Sequence, residues 1–393
     1  MPLRNLPAPA HRQEQTGSHS KGISFCKKEY EYRHNLSFFN YNMNMSYVME
    51  TEINSQGIII ENLINKYIVN YCVLIDIPLS IERIVIIASG SSYNVAIFGK
   101  YFFENISNIP TSVEYASEFI NSSFVNYDPK ALYIFISQSG LSVDTVKAMQ
   151  LIKERGLKTL SITNNLASTI HNHADYKFYI EAGLEQAIAA TKTYSATVVM
   201  LWLIAVKAAQ NKHLDIGEET KDIYLIKKNI EMSIKNLDNL DLTAKALSKL
   251  NGFAIFGLGY YYALALEAAL KIRETSYLNT SAFPSGDFIH GHFAQLNSTK
   301  AFLTFITSDS KEYEKDILKK VLKTYKCKSI VISDIYENYD CDILLKFQKG
   351  QSKIATIIDM IIVIQMLTLK IAKRLKRNVD KPKGLVKIVE EAK

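Results

Sequence analysis

The chain has 393 residues, of which 48% are apolar and 22% are charged, so it is too hydrophobic to be a disordered protein. The net charge of +7 is mild for this length and does not indicate a nucleic-acid-binding protein. At about 150 residues per domain, the length predicts two or three domains. The absence of a CxxC pair excludes a disulfide framework and a zinc ribbon and favours a reducing, cytoplasmic compartment. The cysteines are Cys26, Cys72, Cys327 and Cys341.

Residues 1–42 differ in composition from the rest of the chain. They are polar, contain several of the prolines and show no hydrophobic period. They also lack the apolar region of roughly 7–15 residues that a secretory signal needs. We predict that residues 1–42 form a disordered extension or lie upstream of the true start, for which Met43, Met45 and Met49 are candidates. A helical pattern of apolar residues begins near Met45 and continues to about Tyr71.

Two apolar segments approach the composition of a membrane span. The segment 354–372 is interrupted by Asp359, Gln365 and Lys370. The segment 196–206 is too short to cross ~30 Å of hydrocarbon. We therefore predict that both are buried helices of a protein with no membrane partner.

Short apolar runs that alternate with helical patterns begin near residue 83. Such an alternation predicts a parallel sheet that is covered by helices on both faces. Gly90 and Gly259 each follow a predicted strand and precede a predicted helix, so we interpret residues 83–220 and 248–372 as two copies of one α/β fold. The predicted strands are 83–90, 131–136, 158–163, 175–180, 253–259, 301–306, 329–333 and 343–347.

Two serine-rich turns follow predicted strands of the first copy. At each turn, hydroxyl groups and free backbone N–H groups meet at a helix N-terminus, which suits a phosphate group. For the first turn, a simple capped helix is the alternative, because serine is a preferred N-cap. The second turn carries more small donors than one N-cap requires, which favours a phosphate monoester. The candidate residues are Ser91, Ser92, Ser137, Gln138, Ser139 and Ser142.

A predicted helix of the second copy carries Glu267, Lys271 and Glu274 on one face. One interpretation is a salt-bridged solvent face, which is worth a few tenths of a kcal/mol. The flanking residues are small and apolar, however, which predicts a buried helix in which a carboxylate needs a partner or a function. The segment 185–192 precedes another apolar helix. It is either a simple capped start to that helix or a site for sugar hydroxyls.

The loop 285–292 contains Asp287, His290 and His292. The HxH pattern is weak evidence for zinc without a third ligand at metal-site spacing, and we favour a loop histidine that acts as a general acid or base. The segment 370–393 carries nine basic residues against three acidic ones. It is a basic solvated tail, a nucleic-acid patch or a tail that folds over an anionic-substrate site.

Together, these motifs resemble the sugar isomerase (SIS) domain family. The likeness is greatest to the isomerase half of glucosamine-6-phosphate synthase and to its stand-alone relatives, including glucosamine-6-phosphate deaminases. It implies an α/β protein with two tandem SIS domains, 43–220 with an N-terminal helix and 221–372 with linker helices, followed by an active-site tail, 373–393. The motifs that carry the likeness are Met49-Glu-Thr-Glu-Ile53, Ser89-Gly-Ser-Ser-Tyr-Asn94, Ser137-Gln-Ser-Gly140, Ala190-Thr-Lys192, Glu267-Ala-Ala-Leu-Lys271 with Glu274, His290-Gly291 and Pro382-Lys-Gly-Leu-Val-Lys387.

The resemblance also implies roles for individual residues. Glu274 would move the proton between C1 and C2 of the sugar, and Lys271 matches a lysine near the reacting carbons. His290 would open the sugar ring from the neighbouring subunit of a homodimer, and Lys387 would lie on the C-terminal loop that closes the site. The residues implied to hold the sugar phosphate are Ser92, Ser137, Gln138, Ser139 and Ser142, and those implied to line the sugar site are Glu185 and Ile188.

Several positions depart from the family pattern. The synthase begins with a long glutaminase domain that has a catalytic cysteine, whereas here position 2 is proline and only about 80 residues precede the first predicted strand. We therefore expect that this chain does not release ammonia from glutamine by the synthase's route. Leu141, Ala190, Asp287 and His292 stand where the synthase has Glu, Ser, Glu and Pro.

The reaction expected from the resemblance needs no cofactor and no metal. Ring-open glucosamine 6-phosphate would lose its C2 proton, pass to a fructosimine and hydrolyse to fructose 6-phosphate and ammonia, or the reaction would run in reverse with free ammonia. Two alternatives stay open. A deglycase would act on a fructosamine 6-phosphate with the same base, and a regulator would bind the sugar phosphate without turnover.

Overall fold

The computed structural model describes residues 47–122, 127–221, 223–235, 239–297, 300–335, 337–347 and 352–387. The predicted extension 1–42 and residues 388–393 of the predicted tail lie outside the described residues. The described chain opens with two short helices and a small hairpin, where the sequence predicted one helical segment. These elements are α1 Val48–Asn54, α2 Gln56–Tyr67, β1 Ile68–Val69 and β2 Cys72–Val73.

The first sheet has five parallel strands. In chain order they are β3 Arg83–Ala88, β4 Thr111–Tyr115, β5 Ala131–Ile136, β6 Thr159–Thr163 and β7 Tyr176–Tyr179. In space they lie in the order β4-β3-β5-β6-β7, and all neighbours are parallel. All six residues of β5 are buried, as expected for a continuous apolar strand that is covered on both faces. The order of strands reverses between β3 and β5, where such folds form a ligand-binding crevice.

The second sheet repeats this arrangement. In chain order its strands are β8 Gly252–Gly257, β9 Asn279–Pro284, β10 Ala301–Ile306, β11 Lys328–Ser333 and β12 Ile343–Lys346. Their spatial order is β9-β8-β10-β11-β12, again with all neighbours parallel. Counted from the first strand of each sheet, the two orders are identical. The predicted α/β fold with two copies of one parallel sheet is therefore confirmed.

Helices cover both faces of each sheet. They are α3 Ser91–Ser107, α4 Ala116–Asn121, α5 Val143–Lys153, α6 Thr169–His173, α7 Lys192–Asn211, α8 Gly217–Thr220, α9 Ile226–Lys235, α10 Leu240–Leu247, α11 Tyr260–Ser276, α12 Ser285–Phe288, α13 Lys311–Thr324 and α14 Lys353–Arg374. Helices α3, α7, α11 and α14 pack on one another and share a hydrophobic core with the facing sides of both sheets. Helices α4, α5 and α6 cover the other side of the first sheet, and α12 and α13 that of the second.

By length and composition alone, α7 and α14 could each cross a membrane. In both helices, 89% of the apolar window is buried inside the protein. Both lie in the core that the two domains share, so the prediction of two buried helices is confirmed.

The sequence did not predict β4 and β9, the second strand of each sheet. Both lie at an edge of their sheet, and most of their residues are only partly buried. Strand β9 ends at Pro284, which has no N–H group to donate and which edge strands tolerate. A half-buried edge strand lacks the continuous apolar run that marks the central strands, so the pattern offered little signal at these two positions.

Candidate active site

A cavity of about 560 Å³ opens at the carboxyl ends of β3 and β5, at the reversal point of the first sheet. Helix α7, helix α11 of the second domain and residues 385–387 complete its walls. The predicted site residues that line it are Ser92, Ser137, Gln138, Ser139, Ser142, Glu185, Ile188, Lys271, Glu274 and Lys387.

The two serine turns start α3 and α5. Gly90 has a φ of +58°, which residues with a side chain rarely adopt, so the sharp entry into α3 favours glycine. Among the described residues, no side chain caps the start of α3 or α5, so the capped-helix alternative is wrong for the first turn. Ser137 Oγ accepts the Gly140 N–H at 3.0 Å and lies 3.1 Å from Ser142 Oγ. Serine residues of both turns line the cavity.

Lys271 is buried between two glutamates of its own helix. Its Nζ lies 2.5 Å from Glu274 Oε2 and 3.7 Å from Glu267 Oε1. Only 2% of the Lys271 side chain is exposed, compared with 22% of the Glu274 side chain. The interpretation of this face as a salt-bridged solvent surface is therefore wrong.

Glu267 joins this helix to the first domain. Its carboxylate accepts hydrogen bonds from Ser91 Oγ at 3.1 Å and from Asn94 Nδ2 at 2.8 Å. Both donors lie in the first turn of α3, directly after the first serine turn. The second domain thereby fixes Lys271 and Glu274 against the serine turn of the first.

Burial and charge set the protonation state of Lys271. Burial would lower the pKa of Lys271, but the carboxylates of Glu267 and Glu274 outweigh it and raise the pKa above its usual value of 10.5. Burial raises the pKa of Glu267, although Lys271 opposes this shift. The wall of the cavity therefore contains a buried, protonated amine beside the partly exposed carboxylate of Glu274.

A second ion pair closes the other side of the cavity. Glu185 is buried and accepts the N–H groups of Thr191 at 2.9 Å and Thr193 at 3.1 Å. Lys387 Nζ donates to Glu185 Oε2 at 2.7 Å and to the Ala187 carbonyl at 2.6 Å. Burial alone would raise the pKa of Glu185, but the Lys387 ammonium holds it below its usual value. The segment 185–192 is therefore more than a capped start to α7.

Residues 378–387, which we call the C-terminal strap, bring residues 385–387 to the wall of the cavity. The Asp380 carbonyl accepts the Ile188 N–H at 3.1 Å. The Lys383 N–H donates to the Tyr277 hydroxyl at 2.7 Å. Because Leu385 and Val386 line the cavity, this part of the predicted tail folds over the candidate site.

His290 stands apart from the other predicted residues. It is exposed in the turn after α12 and is not among the described residues that line this cavity. His292 Nε2 lies 3.1 Å from Asp287 Oδ2 on the same surface. In the described part of the chain, no group of three or more His, Cys, Asp or Glu side chains could hold a metal ion.

Sequence reasoning missed the contribution of α7 to the cavity. Thr193, Tyr194 and Thr197 line it from one face of that helix. The two threonines are four residues apart, which places them on one face of a helix. They begin a long apolar segment, however, and that segment by itself predicts only a buried helix. Sequence reasoning also singled out Glu267 without its partners in the first domain. The contact with Asn94 joins residues that are distant in the sequence.

Comparisons with known proteins agree with this architecture. The family model of the SIS domain matches residues 79–207 and 246–368. The glutamine–fructose-6-phosphate aminotransferases (isomerizing) of Campylobacter jejuni and Helicobacter pylori are 31% and 32% identical to this chain over 311 and 322 residues. Each alignment covers 79% of this chain and 51% or 52% of the relative, so the chain spans about half the length of these curated relatives.

Solved structures show the same fold. The C-terminal domain of glucosamine-fructose-6-phosphate aminotransferase from Francisella tularensis has 26% identity and a TM-score of 0.81, over 87% of this chain and 100% of that one. A glucosamine-6-phosphate deaminase from Thermotoga maritima shares the fold at 21% identity and a TM-score of 0.68, over 87% of this chain and 99% of that one. Because the family model matches more than half of its residues, this chain belongs to the SIS domain family.

Proposed function

We propose that this chain is an amino-sugar phosphate isomerase and deaminase. It converts glucosamine 6-phosphate and water to fructose 6-phosphate and ammonia, or runs in reverse with free ammonia. The observation that carries the proposal is that Lys271 and Glu274 face the same cavity as the two serine turns. The similarity to isomerizing aminotransferases supports an amino sugar as the substrate.

The phosphate group binds at the serine turns. Hydroxyl groups and the N–H groups at the starts of α3 and α5 are neutral donors, and both helix dipoles favour an anion there. A phosphate dianion held in this way needs neither a metal nor a cofactor. The residues proposed to hold it are Ser92, Ser137, Gln138, Ser139 and Ser142, and all of them line the cavity.

Glu274 is the proposed base for proton transfer between C2 and C1. Isomerisation moves one hydrogen from C2 to C1 and another from the amine nitrogen to O1, which converts the ring-open amino aldose to a C2 imine. Water then adds to the imine carbon, the C–N bond breaks and ammonia leaves. One positioned carboxylate typically contributes 10²–10⁴-fold to such a rate.

Lys271 and Lys387 complete the proposed machinery. The protonated Lys271 amine stabilises the negative charge that develops on the substrate when the C2 proton leaves, because its side chain is buried and held by two carboxylates. Lys387 lies on the strap that closes the cavity, beside the residues proposed to bound the sugar, Glu185 and Ile188.

We further propose that the active unit is a homodimer with shared sites. His290 is exposed on its own chain, whereas ring opening needs an acid or base inside the cavity. A second copy of the chain would supply it, so that the partner's His290 opens the sugar ring.

A panel of amino-sugar phosphates tests the proposed function. Ammonia and ketose phosphate are quantified separately after incubation with the full chain. We expect equal amounts of ammonia and fructose 6-phosphate from glucosamine 6-phosphate, and glucosamine 6-phosphate from fructose 6-phosphate with ammonium chloride. Turnover of a fructosamine 6-phosphate alone would identify a deglycase instead. Tight binding of the sugar phosphate without any turnover would identify a regulator.

A further inference from the structure

Helix α1 contacts the candidate site from outside through Glu52. Its Oε1 accepts the Gln186 N–H at 2.6 Å and lies 3.5 Å from the Ala187 nitrogen. Its Oε2 lies 3.5 Å from Thr191 Oγ1. Glu52 is only 5% exposed and is not among the described residues that line the cavity. Its carboxylate therefore acts on the protein backbone rather than on the cavity itself.

Glu52 binds the backbone of residues 186–188, which we call the 186–188 turn. The same turn binds the Lys387 amine. The Ala187 and Ile188 carbonyls lie 2.6 Å and 3.5 Å from Lys387 Nζ. Glu185, which pairs with the same amine, directly precedes the turn. One side of this turn thus faces Glu52 with its N–H groups, and the other side faces Lys387 with its carbonyl groups.

Helix α1 is itself fixed to the strap and to α14. The Asp380 carboxylate accepts the N–H groups of Val48 at 2.9 Å and Met49 at 2.8 Å, which are two of the otherwise unpaired donors at the start of α1. On the same helix, Glu50 Oε2 lies 2.6 Å from Lys373 Nζ near the end of α14. The helix that carries Glu52 is therefore held at a defined distance from the strap that carries Lys387.

We propose that Glu52 is a positioning residue, which fixes the 186–188 turn so that Lys387 points into the cavity. The kinetic part of this inference rests on the proposed function, whereas the placement of the Lys387 amine can be measured without turnover. Loss of the acceptor lets the turn move, and a misplacement of about 1 Å in a catalytic site can cost 10²-fold in rate.

Three variants of the full chain separate positioning from general stability. Glu52→Ala removes the acceptor, and Glu52→Gln keeps one acceptor oxygen. Glu61→Ala is the matched control, because it removes a carboxylate that pairs with Lys227 rather than with the turn, the strap or α14. The rate at which acetic anhydride labels Lys387 is measured by peptide mass spectrometry, together with kcat and KM for glucosamine 6-phosphate.

We expect Glu52→Ala to label Lys387 at least about threefold faster than the wild type. Its kcat should fall roughly 10- to 100-fold with KM nearly unchanged, because the serine turns are untouched. Glu52→Gln and Glu61→Ala should behave like the wild type in both measurements. Wild-type labelling of Lys387 in Glu52→Ala would overturn the proposal, whatever its kcat.

Two further outcomes remain informative. If no sugar phosphate is turned over but the labelling changes as expected, the positioning role stands and the proposed function fails. If Glu52→Ala does not fold, as judged by circular dichroism and Tm, Glu52→Asp replaces it, because its carboxylate is drawn back by one methylene. Faster labelling is expected there too, and labelling at the wild-type rate would overturn the proposal.

Discussion

At the scale of single residues, Lys271 shows that the effect of an ion pair on stability depends on whether the pair is buried. An exposed pair of this kind contributes well under about 1 kcal/mol, whereas removing one partner of a buried pair leaves an uncompensated charge. The Lys271 side chain is 2% exposed and its partner Glu267 only 3%. The spacing of these residues was visible in the sequence. The small apolar residues that flank them already predicted a buried helix, and the structure confirms that prediction.

We expect Lys271→Met to lower the free energy of unfolding by about 3–5 kcal/mol at pH 7, because Glu267 loses its buried partner. The measurement is urea denaturation. Adding Glu267→Gln should recover part of the loss, since it removes the stranded charge. Lys130→Met is the control, because Lys130 pairs with Glu82 on the surface and its loss should cost no more than about 1 kcal/mol. An equal loss in both single variants would contradict the account.

The pKa of Lys271 determines the direction in which the free energy of unfolding changes with pH. Its pKa in the folded chain lies above 10.5, so the stabilisation that it gives is fully present below pH 10.5 and is lost as the pH rises through the folded value. The stability lost in Lys271→Met should shrink as the pH falls toward the acid range, because protonation of Glu267 then removes the stranded charge.

The variant Ser142→Ala tests whether this hydroxyl group helps to bind the phosphate. Its Oγ lies near Ser137 Oγ and does not cap α5, so its removal leaves the start of the helix intact. A hydrogen bond to a charged group is worth roughly 1.5–3 kcal/mol, so KM should rise about 10- to 100-fold with kcat nearly unchanged. Steady-state kinetics measures this. Ser248→Ala, after α10, is the control, and an unchanged KM in Ser142→Ala would place the phosphate elsewhere.

At the scale of elements, the sequence was most informative where strands are central and fully buried. Strands β5 and β10 begin and end at the predicted residues, because every position in them is buried and all but Thr304 carry apolar or aromatic side chains. The edge strands β4 and β9 escaped prediction in both domains, since only part of each strand is buried. A strand could therefore be predicted when full burial requires apolar residues along its length. An edge strand could not, because its exposed positions accept many residue types.

The strap is an element whose position depends on a few contacts. Tyr277→Phe removes the hydroxyl that accepts the Lys383 N–H, so trypsin should cut the Lys383–Gly384 bond several-fold faster than in the wild type. Tyr313→Phe is a matched control, because Tyr277 and Tyr313 are both 46% exposed. Limited proteolysis followed by mass spectrometry measures the rate. Equal cleavage in wild type and Tyr277→Phe would show that this bond does not hold the strap.

At the scale of the whole molecule, the candidate site is assembled from both domains and from the strap. The motifs could be found in the sequence because each is local, with its own turn or helical spacing. The contacts between them could not, because bonds such as Glu267 to Asn94 and Glu52 to Gln186 join distant segments. His290 is the opposite case. Its motif was evident in the sequence, but the fold of one chain does not bring it to the cavity.

Mixing two inactive variants tests the proposed shared site. If the partner's His290 completes each cavity, a mixture of Glu274→Gln and His290→Ala chains should regain about a quarter of wild-type activity, since half of the dimers are mixed and each has one intact site. Subunit exchange is verified with a tagged chain. Exchange without any recovered activity would contradict a site that is shared between subunits.

The central claim is that Glu274 moves the C2 proton of a sugar phosphate. The most direct measurement is exchange of that proton with deuterated solvent, followed by NMR, in the wild type and in Glu274→Gln. The account predicts that Glu274→Gln binds the sugar phosphate almost normally and loses at least ~10²-fold in exchange rate, because the amide cannot accept the proton. Glu82→Gln, which alters only a surface pair with Lys130, should exchange normally. Exchange at the wild-type rate in Glu274→Gln would contradict the account.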